Sequence, residues 1–268
     1  MKKFFAQCYI WILLVLLYAP LVFIAIFSFT ESRVLGNWTG FSTRLYQNLF
    51  TGNMQGSSSL LSAVKNTILI AIAAAAVATL LGTVAAIGIH NLNGRRKNAI
   101  QFLNNIPMLN PDIITGVSLF LLFVFLGVSQ GYLTVILAHI TFCTPYVVLS
   151  VLPKLTQMNP NVYEAALDLG ATPGQALRKV MIPMLRPGMV SGFILSFTMS
   201  LDDFAVTFFT RGTIGLDTLS TYIYTDARKG GLTPELRPLM TLIFAAILIF
   251  LVVINVRQAR AQQLAESK

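Results

Sequence analysis

Long apolar runs and short polar stretches alternate along the whole chain. Six runs, at roughly 8–29, 66–90, 99–126, 132–152, 188–209 and 238–256, are nearly free of charge. Each has the length of a helix across a bilayer, which needs about 20 mostly apolar residues. In lipid every backbone N–H and C=O must be satisfied within the protein, and a helix does this inside its own segment. The pattern therefore predicts an all-α, polytopic membrane protein with six transmembrane helices in a single domain spanning 1–268. The first run follows Lys2 and Lys3, as a signal peptide would, but it exceeds the usual apolar core of about 7–15 residues. No small-x-small cleavage site closes it, so it reads as a retained span.

The polar stretches between the runs differ in length. Residues 30–65 form a long loop with turn-formers at Gly36-Asn37, Gly52-Asn53 and Ser57-Ser58-Ser59. Residues 91–98 make a short turn, and 127–131 a shorter one, so the third and fourth spans form a tight antiparallel hairpin. The longest loops that remain are 153–187 and 210–237, and a polar tail follows residue 256.

Composition agrees with this reading: 55% of the 268 residues are hydrophobic and only 11% charged. Soluble domains carry about 25% charged residues. Charge sets the orientation. With the N-terminus in the cytoplasm, 12 of the 19 Lys and Arg fall on the inner side and 7 on the outer. That is the positive-inside asymmetry, and it places both termini inside. The net charge of +9 thus reports membrane topology. No basic stripe with interleaved aromatics points to nucleic acid. Cys8 and Cys143 lie in separate spans and imply neither a disulfide framework nor a metal site. His90 and His139 stand apart from each other and from any ligand-like cluster, and neither is assigned a role.

The 153–187 loop holds a polar island, EAALDLGATPGQALRKVMIP at 164–183. Asn159 and Pro160 suit an N-cap and the first helical position. A helix then runs 161–169, and Gly170 suits the left-handed residue that ends it. Thr172, Pro173 and Gln175 make a capping box that starts a second helix, running to Pro183, where the chain turns into the fifth span. Ala165 and Ala166 keep the first helix slim, while Glu164 and Asp168 share one face. Such a helix fits a groove in another protein. A helix resting on lipid would carry a Lys/Arg-rich polar face and bulky apolar residues opposite.

Two further stretches place carboxylates at membrane depth: NPDIITG at 110–116 and SLDDFAVTFFTRG at 200–212. A charged side chain at a helix centre costs about 2.5–3.5 kcal/mol on insertion scales, so such residues mark a pathway or hold a partner. At about 1.5 Å per residue, Asp112 lies about 20 Å from an inner end near residue 99, and Asp202 equally far from one near 189. Asp112, Asp202 and Asp203 are therefore expected to share one depth and to suit a cationic cargo. Phe204, Phe208 and Phe209 follow the acids and can add cation–π contact. The competing reading is that Asp202 or Asp203 caps a broken helix and Asp112 caps the helix after Pro111.

The polar island resembles the signature of ABC importer permeases: Glu-Ala-Ala, Gly four positions on, then an Ile-x-Leu-Pro ending. Here these are Glu164, Ala165, Ala166, Gly170, then Val180, Ile182 and Pro183. The stretches SFTMSLDDFAVTFFTRG, TLSTYIYTDARKGGLTPE and HITFCTPYVV resemble the spermidine/putrescine branch of that family, and the likeness covers essentially the whole chain. It departs at Gly231, where the branch tends to Val, and at 236–238. The resemblance implies a type I ABC importer permease fold, in a bacterial cytoplasmic (inner) membrane, with 153–187 as the cytoplasmic coupling loop. It implies a polyamine cargo, and three kinds of partner beside the lipid bilayer. These are a second related permease, a homodimer of an ATPase that takes ATP and Mg, and an extracytoplasmic polyamine-binding protein. No G-x-x-x-x-G-K-[ST] phosphate loop occurs in this chain, so no ATPase site, catalytic residue or cofactor of its own is expected. The alternatives are another small solute (an amino acid, a phosphonate-like anion or iron) or, in a different class, a secondary transporter.

Overall fold

The structure is a computed structural model that describes residues 2–32, 34–52, 56–159, 161–213, 216–229 and 232–266. Pro160 and Gly231 lie outside the described residues. All regular structure among the described residues is helical: α1 (Lys2–Phe27), α2 (Arg44–Thr51), α3 (Ser57–His90), α4 (Gly94–Leu109), α5 (Asp112–Phe125), α6 (Tyr132–Gln157), α7 (Asn161–Asp168), α8 (Pro173–Ala176), α9 (Ile182–Asp202), α10 (Ala205–Thr210), α11 (Leu219–Arg228) and α12 (Leu236–Glu266).

Four helical stretches are long and apolar enough to cross a membrane: Gln7–Phe27, Ser57–His90, Tyr132–Gln157 and Pro173–Asp202. A fifth is made if α4 and α5 count as one span. The sixth expected run falls in α12, where Leu236–Ala246 is a shorter apolar stretch.

The third run is not the straight helix that its hydropathy suggests. Its two halves, α4 and α5, meet at 104°. Pro111 supplies no N–H, and its ring pushes the preceding residue out of helical geometry. Asn110 is extended accordingly, at φ −76° and ψ 139°. The depth of Asp112 therefore cannot be counted along one axis from residue 99. A second correction concerns Pro183, where a turn was expected. The chain runs on as helix from Pro173 to Asp202, through a π-helical turn at Leu177–Met181. The Ile182 N–H reaches back to the Leu177 carbonyl. The wider turn gives room for a proline ring that would crowd the previous turn of an α-helix. Helices α2 and α11 fall in stretches expected to be loops.

The chain forms two compact units, one of residues 1–59 with 223–268 and one of 60–222. In the first, α1 and α12 touch, and so do α12 and α2. The Arg237 guanidinium, fully buried, donates to the Ser32 carbonyl at 2.8 Å. Most of α1 remains exposed and apolar along its length, as a lipid-facing helix must be.

The second unit is built around α6. Its buried residues Cys143, Val147, Val151 and Leu155 pack with Ala78, Ala86 and Ile89 of α3 and Leu185 of α9. Glycines permit the close approach that stabilises helix pairs in lipid. A Cβ on Gly82 would lie 2.6 Å from the Val147 Cβ, and one on Gly192 would lie 3.1 Å from its Cγ1. Helix α10 touches both α5 and α6, and a Cβ on Gly116 of α5 would meet the Ala205 carbonyl at 3.1 Å. The break after α9 is thereby held against the break before α5.

Candidate functional site

Those two breaks face one cavity. It measures about 470 Å³ and is lined by Asp112, Asp202, Asp203, Phe204, Met199 and Phe142. The three aspartates that the sequence singled out are thus brought together, although the third span is bent. No basic side chain lines the cavity among the described residues. Asp112 is the first residue of α5, after Pro111 at the N-cap position, and is exposed. Asp202, the last residue of α9, is exposed too. Of the three phenylalanines, only Phe204 lines the cavity. The Arg211 guanidinium lies over the Phe208 ring at 5.2 Å, and Phe209 packs near Gly116. Carboxylates without a fixed cation, beside an aromatic face, can receive an ammonium group. Among the described residues no three His, Cys, Asp or Glu side chains form a metal-binding group.

Asp203 behaves differently from its neighbour. Its side chain is only 5% exposed. One carboxylate oxygen accepts the Val206 N–H at 3.2 Å, and the other accepts the Thr207 N–H and hydroxyl, both at 2.8 Å. The residue therefore caps α10, as the competing reading of the sequence held for one of the pair. Its own carbonyl accepts the Ser220 hydroxyl at 2.6 Å. His139 of α6, to which the sequence gave no role, completes the cluster. It is fully buried, with Nδ1 2.6 Å from Ser200 Oγ and Nε2 2.9 Å from Thr207 Oγ1. Nε2 also lies 3.4 Å from the Asp203 carboxylate. The signal in the sequence was a histidine inside an apolar run, since a polar ring at that depth needs partners.

Outside the cavity, Asn159, Gly170, Thr172 and Gln175 take the local structure their residues predict. Asn159 Oδ1 accepts the Asn161 N–H at 3.0 Å where α7 begins. Gly170 is left-handed at φ 86°. The Gly170 and Ala171 N–H groups return to the carbonyls of Leu167 and Ala166, which closes the helix end. Thr172 and Gln175 form the reciprocal capping box, at 3.4 and 3.0 Å. Glu164, Ala165 and Asp168 are exposed, Ala166 is half-buried, and Leu169 is 90% exposed. Behind α7, a cleft of about 530 Å³ separates it from the ends of α3 and α6, with His90, Tyr163 and Glu164 on its walls.

Comparison with known proteins agrees with this architecture. Residues 78–264 match the family described as binding-protein-dependent transport system inner membrane component. The putrescine transport system permease protein PotI of Escherichia coli (strain K12) is 39% identical, over 86% of this chain and 82% of that protein. The spermidine/putrescine transport system permease protein PotC of Haemophilus influenzae is 36% identical, over 94% of this chain and 96% of that one. Among solved structures, a bacterial ABC transporter for the import of the acidic polysaccharide alginate superposes with a TM-score of 0.68 at 14% identity. The match covers 96% of this chain and 95% of that one. The chain belongs to the binding-protein-dependent inner-membrane component family: it is a multi-pass permease subunit of a bacterial ABC importer, and is not itself the ATPase.

Proposed function

We propose that this permease carries polyamines, putrescine or spermidine, inward past the cavity formed by Asp112, Asp202 and Phe204. The observation that carries the reading is the meeting of those acids in a space that no cation among the described residues lines. Polyamines are flexible chains of ammonium groups, and two carboxylates set on different helices suit two such groups. The names of the relatives, putrescine and spermidine permeases, support the same cargo. The acidity speaks against a phosphonate-like anion.

The proposal includes six spans of the type I importer fold, with α4 and α5 as one broken span and α12 as the sixth, and both termini inside. A second related permease, an ATPase homodimer using ATP and Mg, and an extracytoplasmic polyamine-binding protein complete the importer. Residues 153–187 couple it to the ATPase. Glu164, Ala165, Ala166 and Gly170 form the docking helix and its end, and Pro183 sits where that element runs into α9.

The test is uptake of labelled putrescine and spermidine by cells carrying the whole importer, with permease abundance measured alongside. Asp202→Asn and Asp112→Asn should each lower uptake by about tenfold, the loss that goes with about 1.4 kcal/mol. Normal uptake in both single variants and in the double variant overturns the cation path.

A further inference from the structure

The hydrogen bonds around Asp203 join side chains from three helices. The Thr207 hydroxyl has one hydrogen, and it points to the Asp203 carboxylate. Its oxygen must then accept from His139, so Nε2 carries the ring hydrogen. The other ring nitrogen, Nδ1, lies 2.6 Å from Ser200 Oγ. A continuous chain of contacts follows, joining Ser200, His139, Thr207 and Asp203. It starts on α9, crosses α6, passes through α10 and returns to the residue just after α9. Every group in it is fully or almost fully buried. The chain holds the broken end of α9 at a fixed angle, and Asp202 is the last residue before the break.

We infer that His139 is a positioning residue for the acidic cavity. Through Thr207 it fixes Asp203 in the frame, so that of the adjacent pair only Asp202, with Asp112 across the cavity, presents its carboxylate to the cargo. This rests on the proposed cation path for its consequence in transport, but the geometry can be tested without any cargo.

Two substitutions of equal polarity separate positioning from mere packing. Glutamine reaches to where Nε2 sits and keeps the donor to Thr207. Asparagine reaches only to where Nδ1 sits and keeps the contact to Ser200 alone. His139→Gln and His139→Asn are made in the assembled importer, in membranes. The first readout uses Asp202→Cys in a background where Cys8 and Cys143 are serine. The rate of modification by a small cationic methanethiosulfonate reports how position 202 faces the cavity. The second readout, with Asp202 intact, is the ratio of spermidine to putrescine uptake.

His139→Gln should match the parent in both. His139→Asn should slow labelling severalfold and shift the uptake ratio, since a displaced carboxylate meets a trivalent and a divalent chain differently. Equal behaviour of the two variants, whether both normal or both impaired alike, overturns the inference. If neither assembles, Thr207→Ser and Thr207→Val take their place: serine keeps the hydroxyl in the chain, valine keeps only the shape. Valine labelling as fast as serine is then the overturning result. Should the parent importer take up no polyamine while labelling follows the expected order, the cargo reading fails and the positioning role of His139 stands.

Discussion

At Gly82 a Cβ would sit 2.6 Å from the Val147 Cβ, whereas at Gly88, further along the same helix, nothing lies within 4 Å. Gly82→Ala should therefore lower the melting temperature of the purified permease, by a loss of about 1–3 kcal/mol typical of overpacking. Gly88→Ala should leave it unchanged or raise it slightly, and a fall at both positions would remove the α3–α6 contact as the cause. The same measurement distinguishes the two aspartates. Asp203 accepts three hydrogen bonds inside the fold, and bonds to a charged group contribute about 1.5–3 kcal/mol each. Asp203→Asn should lower the melting temperature, while Asp202→Asn, at an exposed carboxylate, should not. The three acids were legible in the sequence because carboxylates are rare in apolar runs. Their division into a frame residue and an open one was not. It depends on His139 and Thr207, which are 64 and 4 positions from Asp203, and only the packing of α6 against α10 brings the histidine near.

Elements that depend on neighbours in sequence were legible almost to the residue. Thr172 and Gln175 cap as a local pair must, and Gly170 takes the left-handed conformation that a helix end asks for. Nothing surrounds Gly170 within 4 Å, so its substitution acts through the backbone alone. A side chain there costs about 1–2 kcal/mol, enough to open the closed end of α7. Gly170→Val should abolish cargo-stimulated ATP hydrolysis by the assembled importer at normal membrane abundance; stimulation equal to the parent would refute the coupling role. Thr172→Ala removes one cap, costing about 1 kcal/mol, and should reduce that stimulation only in part. The π-helical turn was not legible. A proline in a polar-to-apolar transition looks like a corner, and only the observed bond from Ile182 to Leu177 shows that the helix widens and continues. Likewise Pro111 was seen as an interruption, but a proline in a sequence does not tell the size of the bend, here 104°.

For the molecule as a whole, hydropathy announces the long helices and charge announces their direction. Helix α3, at 34 residues, is about 51 Å long at about 1.5 Å per residue. That exceeds a hydrocarbon core of about 30 Å, so it tilts or stands clear of the lipid. The orientation is checked by cysteine labelling of intact cells with an impermeant reagent. Positions Ser58 and Ala227, both exposed, should react, and Asn98 and Gln175 should not until the membrane is opened. Thr218, though on the outer side by the same topology, is only 3% exposed and should stay unreactive. Reaction at Gln175 in sealed cells would invert the orientation. The contrast between the two breaks of helix that meet at the cavity also has a use in redesign. On the proposed cation path, the scaffold of that meeting point resides in Asp203, Thr207, His139 and Ser200, whereas the tenants' side is Asp112 and Asp202. Changing the tenants' side alone should alter which solutes the importer accepts without loosening its frame, so a search for new cargo can be confined to two positions and their immediate surroundings.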